Sequence, residues 1–146
     1  MIRLIPYTST FWLTRLIFIR GLGAICFIAN LVLILQYKPL IGKNGLTPAY
    51  SYLNSLIAHF GGGWEAFFQI PSIFYLNASD MMIFCVGTVG LIISVCMIIG
   101  SVNGVMILLL WLLYMSIVNV GQVFYSFGWE MMMLECLFLT IFSRKV

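Results

Sequence analysis

Four long apolar runs, separated by stretches where polar residues and glycines collect, organise this chain of 146 residues. The first, residues 16–35, is interrupted only by Arg20 and Asn30. At about 1.5 Å per residue a helix of that length covers about 30 Å, the depth of a bilayer's hydrocarbon core. Residues 81–100 form a second run, opened by Ser79 and Asp80, whose side chains suit the free N–H groups of a helix start. Residues 102–120 form a third. The fourth, residues 124–142, contains Glu130 and Glu135, each costing about 2.5–3.5 kcal/mol by insertion scales. The pattern predicts an all-α fold: a polytopic membrane helical bundle with about four transmembrane helices, forming a single membrane domain over residues 1–146.

Between the first two runs, residues 36–80 break the pattern without becoming featureless. Thr47 suits an N-cap and Pro48 a first helical position; Tyr50, Leu53, Leu56, Ile57 and Phe60 then recur at helical spacing until Gly61, Gly62 and Gly63 end the element. This predicts an amphipathic helix lying on the membrane. Trp64, Phe67, Phe68, Phe74 and Tyr75 add rings of the kind that settle among lipid headgroups, so the whole loop is expected to hug the bilayer.

Composition strengthens the membrane reading: 63% of residues are hydrophobic, 8% are charged, and the mean hydropathy is +1.12. A soluble domain of this size would lack the polar surface to cover such a chain. The net charge of +3 comes from scattered basic residues, with no basic stripe to engage nucleic acid. Their placement instead indicates sidedness. With a cytosolic N-terminus, Arg3, Arg15, Arg144 and Lys145 share the cytosolic side, Arg20 lies near it, and Lys38 and Lys43 face the lumen. The first run then acts as a signal anchor, and 36–80 becomes a luminal interfacial loop. Asn77-Ala78-Ser79 fits a glycosylation sequon but sits so close to the second run that an unmodified helix start is expected.

Little in the chain looks catalytic. Cys26, Cys85, Cys96 and Cys136 fall inside apolar runs and read as buried thiols. His59 has no carboxylate or Cys at helical spacing, "GLGAIC" at 21–26 reads as a small-residue helix face, and Gly100 and Gly104 flank a tight turn. No catalytic, cofactor-binding or metal-ligating residue is assigned, and no cofactor is expected. The candidate residues are polar ones within the apolar runs: Arg20, Asn30, Asn119, Gln122, Trp129, Glu130 and Glu135. Counted from run ends, Arg20 and Glu135 lie at similar depth, so Arg20 either pairs with Glu135 or snorkels to the headgroups. Asn119, Gln122 and Trp129, with Asn30 nearby, are expected to surround Glu130 in a polar patch, where such groups either join helices or form a site.

Three stretches, "FWLTRLIFIRGLGAICFIA" at 11–29, "QYKPLIGKNGLTPA" at 36–49 and "LYMSIVNVGQVFYSFGWEMMMLECLFLTIF" at 113–142, resemble the lipase maturation factor family. The resemblance implies a multi-pass protein of the endoplasmic reticulum membrane that helps specific secretory proteins mature, typically homodimeric lipases. Family members are several times longer and add further spans and a large luminal C-terminal domain that engages client lipases. This chain corresponds to their membrane-anchoring N-terminal portion, as a truncated form or a short relative. Two other functions stay open: an accessory subunit whose polar residues bind partner helices, and a membrane enzyme distantly related to vitamin K-dependent carboxylase. The expected partners are the lipid bilayer, lipase clients or other membrane helices, and not nucleic acid.

Overall fold

The computed structural model describes residues 11–143. Helix α1 spans Trp12–Leu40, α2 Ala49–Phe60, α3 Gly63–Gln69, α4 Asp80–Ile99, α5 Gly104–Val120 and α6 Gly128–Ser143. Short 3-10 turns at Ile73–Tyr75 and Gln122–Tyr125 precede α4 and α6, and the described residues contain no strand. The all-α expectation therefore holds. Arg3, Arg144 and Lys145, which carry much of the sidedness argument, lie outside the described residues.

Helices α1 and α4, of 29 and 20 residues, are long and apolar enough to cross a membrane. At about 1.5 Å per residue, α1 reaches about 43 Å and so overshoots the hydrocarbon core. Pro39 falls in its last turn, where its missing N–H costs little helix. Helix α5 is apolar but shorter, with 17 residues. The fourth run yields a 16-residue helix, α6, because residues 121–127 are spent on a turn. That helix covers only about 24 Å.

In a membrane, apolar surface alone does not draw helices together, so close backbone approach matters. Helices α1 and α4 run antiparallel and use it along their length. A Cβ at Gly23 would lie 2.8 Å from the Met97 Cβ, and one at Gly87 2.9 Å from Ile34 Cγ1. At Gly90 it would overlap the Asn30 side chain. Tyr37 and Phe84 continue the contact with ring centroids 6.3 Å apart. Helix α5 packs between α4 and α6, and α6 returns to touch α1. Cys26, Leu33, Met97, Ile107, Ile117 and Leu137 are fully enclosed in this core.

The helix ends show which local readings hold. Ser79 caps α4 by accepting from the Met82 N–H at 3.3 Å. Gly61 and Gly100 adopt φ of +83° and +94° to end α2 and α4, conformations that a side chain would oppose. Thr47, expected as a cap, stands one residue too early: α2 begins at Ala49 with Pro48 before it. The Thr47 N–H and hydroxyl both donate instead to the Leu40 carbonyl, at 2.9 and 3.2 Å. That carbonyl ends α1 and has no helical donor of its own, so it takes the threonine.

Candidate functional site

One end of the bundle gathers every long loop. The segment after α1 folds back on the helix: Ile41 and Gly42 N–H groups donate to Tyr37 O, and the Leu46 N–H to Pro39 O. With Thr47 on Leu40, this hairpin supplies donors for α1's terminal carbonyls. The Lys43 N–H then donates to Asp80 Oδ1 at 2.8 Å, joining the end of α1 to the start of α4.

Beyond α3, the chain is fixed to α5. The Ser72 hydroxyl donates to Ser116 O at 3.2 Å, the Ile73 N–H donates to Ser116 Oγ at 3.2 Å, and the Asn119 Nδ2 donates to Pro71 O at 2.7 Å. Ser72 and Ser116 are both buried. Three bonds thus pin the segment after α3 to a helix of the bundle.

Between α2 and the 74–81 segment lies a groove of about 750 Å³. Leu53, Ile57, Leu76 and Met81 give it apolar walls, while Lys43, Asn54, Asn77 and Asp80 bring polar groups of both charges. Leu76 in its wall, and Trp64 and Phe68 of α3, are exposed. Phe67 meets Tyr75 edge to face at 6.1 Å. Burial, and secondarily the neighbouring Tyr52, pushes the Tyr75 phenol above the ordinary tyrosine range. His59 is exposed and packs edge-on to Phe60. No group of three or more His, Cys, Asp or Glu residues among those described could hold a metal ion.

The turn from α5 to α6 forms the other side of this end. Gly121 is required there by packing, because a Cβ would overlap the Tyr125 ring. Gln122 follows with φ of +51°, the one non-glycine residue described with positive φ. Such a conformation costs about 1–2 kcal/mol, so the turn is shaped against local preference. Glu130 is 2% exposed, and its Oε2 accepts from the Phe127 N–H at 3.0 Å. A carboxylate in the first turn reaching back to the residue before the helix is half of a capping box. Tyr114 and Tyr125, both buried, lie within electrostatic reach of this carboxyl group.

The predicted polar patch is therefore divided. Asn119 is committed to Pro71, Gln122 is half-buried in its turn, and Trp129 is 49% exposed. None of the three donates to Glu130, whose donor lies three residues away in sequence. Asn30 is buried elsewhere, giving its Nδ2 hydrogen to Cys26 O at 2.8 Å.

Arg20 and Glu135 are not paired either. Arg20 Nη2 approaches Ile99 O at 3.4 Å, a long bond to the end of α4. Glu135 is exposed on α6. The counted depths brought the two level, but the Arg20 guanidinium turns to the end of α4 instead. The residues that sequence reasoning missed are Ser72 and Ser116, whose partners are distant in the chain, and Tyr114, which read as an ordinary apolar-run aromatic.

Apolar helices, small-residue packing and a capped end define the class as an all-helical membrane domain. Its sequence matches the model of the lipase maturation factor transmembrane domain over residues 13–145. The chain belongs to the lipase maturation factor family. It is 45% identical to Lipase maturation factor 1 of Bos taurus over 140 residues, covering 92% of this chain and 25% of the relative. With that of Mus musculus it shares 45% identity over 142 residues, 93% and 25% of the two chains. Lipase maturation factor 2 of Xenopus tropicalis is 29% identical over 141 residues, 92% of this chain and 20% of the relative. The chain thus spans about a quarter of the length of the first curated relatives. No solved structure matches it.

Proposed function

We propose that this chain acts as the membrane-embedded part of a maturation factor in the endoplasmic reticulum, crossing the bilayer four times and presenting its capped end to secretory lipases in the lumen. The observation that carries this reading is the groove, rooted in the bundle through Asp80, Ser116 and Asn119. Apolar walls with amide and charged groups suit an incompletely folded client segment, which offers both side chains and unpaired backbone. The relatives' name, Lipase maturation factor 1, supplies the client class.

A chimera tests it, with this chain replacing the matching segment of the Bos taurus relative in cells lacking their own maturation factor. The chimera is expected to restore secretion of active lipase. Ile57→Glu together with Asn54→Trp, which fill and charge the groove, should lower lipase specific activity while leaving chimera abundance unchanged. Full lipase output from that variant would remove the groove from the mechanism. The outward position of Glu135 favours one element of a second reading, in which helices of this chain join partner helices.

A further inference from the structure

Three oxygen-bearing side chains converge inside the bundle where α5 turns into α6, and among the described residues no direct hydrogen bond joins any two of them. Tyr114 comes from α5, Tyr125 from the turn and Glu130 from α6, and all three are buried. Each pair lies within electrostatic reach. Yet the hydroxyl of Tyr125, a residue only 5% exposed, is shielded from solvent and has no hydrogen-bond partner among the described residues. Glu130 accepts one bond, from the Phe127 N–H at Oε2, whereas a carboxylate offers about four acceptor positions. A stranded hydroxyl beside an under-used carboxyl group would cost free energy on both sides. A polar gap too wide for a direct bond, and walled by several donors and acceptors, is where a water molecule settles.

We infer that this triangle is a binding site for a single buried water molecule, which bridges the Tyr125 hydroxyl to the Glu130 carboxyl group with the Tyr114 hydroxyl as its third partner. The donor and acceptor counts close. The water accepts the Tyr125 hydrogen, gives one of its own to Glu130 and the other to the Tyr114 oxygen, making the three bonds usual for an internal water. The Tyr125 ring lies against Gly121, which fixes where its hydroxyl sits. The water thereby ties the turn to both helices, and with it Gln122 at φ of +51°, a conformation that persists only where the surroundings hold it. It also solvates Glu130 inside an apolar bundle without a cation.

The test is the sign of a conservative change, made in the full chain in nanodiscs. Tyr125→Phe keeps the ring and removes the hydroxyl. Losing a stranded hydroxyl would tighten the turn, whereas losing a bridging one loosens it. Exchange of the Phe124 and Glu130 amide hydrogens, which bond to Gly121 O and Phe127 O, should quicken about fivefold, or about 1 kcal/mol at about 1.4 kcal/mol per decade. Tyr114→Phe should act in the same direction, and the two changes together should fall short of their sum because they share one water. Millisecond X-ray radiolysis generates hydroxyl radicals from water wherever it lies. It should oxidise Tyr114 several times faster than Phe74, although each is 1% exposed. These results should persist when sodium is replaced by a bulky organic cation at the same ionic strength. Unchanged or slower exchange in Tyr125→Phe, additive effects of the two changes, equal oxidation of Tyr114 and Phe74, or a dependence on sodium, which would put an ion in the site, would each overturn the inference.

Discussion

Replacing Gly90 with Ala adds one methyl group where α4 lies against α1. Its Cβ would fall on the Asn30 side chain, which is 1% exposed and held to Cys26 O at 2.8 Å. Either the helices separate or the amide leaves its acceptor. Overpacking costs about 1–3 kcal/mol and an unmade buried hydrogen bond about the same, and these are alternative routes rather than a sum. Alanine also returns about 1 kcal/mol relative to glycine inside a helix. The net loss is then about 0–2 kcal/mol, centred near 1 kcal/mol. Cys26, one turn from Asn30 and fully buried, reports local opening. At about 1.4 kcal/mol per decade, its alkylation by a membrane-permeant maleimide should quicken roughly fivefold. The assay uses proteoliposomes with Cys85, Cys96 and Cys136 changed to Ser. Adding Asn30→Ala removes the obstruction and should restore much of the protection, a non-additivity expected only of residues in contact. Wild-type protection in Gly90→Ala alone, or no recovery in the double variant, would refute the packing argument.

Other outcomes follow from the capped end. Glu130→Gln should preserve the helix start, since Gln serves equally as the reaching-back member of a capping box, whereas Glu130→Leu should lose about 1 kcal/mol and lower steady-state protein level. Equal levels in the two variants would remove the cap from the account. Ser116→Ala strips Ile73 of its acceptor and should cost about 1–3 kcal/mol, visible as faster limited proteolysis within residues 70–79. If the proposed four crossings hold, tags at both ends should be protected or digested together in sealed microsomes; digestion at one end alone would reject that count.

The fold was largely legible because run length and cap chemistry are local. Ser79 could be read as a cap, Gly61 and Gly100 as stops, and Gly23 as part of a small-residue face. Packing partners were not legible. Helices α4 and α5 are apolar on all sides, so no polar stripe tells which face turns inward. Gly87 and Gly90 become informative only once Ile34 and Asn30 are seen against them. Depth counting put Arg20 level with Glu135 because it took Leu16 and Phe142 for a common plane, while α1 begins four residues before Leu16 and α6 ends one residue after Phe142. For Glu130 the clue was present: a carboxylate two residues after Gly128 fits the first turn of a late-starting helix.

The bonds from Ser72, Ile73 and Pro71 to α5 span 44, 43 and 48 residues of chain. A ribosome working at about 5–20 residues per second needs roughly 2–10 s to make a stretch of that length. Throughout that interval the segment after α3 has been synthesised, but Ser116 and Asn119 do not yet exist. The groove consequently takes shape late in biogenesis, only after α5 has emerged and entered the bilayer. A nascent chain stalled before Ser116 would carry α2 and α3 without their final anchorage, giving cellular quality control a structural criterion for an unfinished copy.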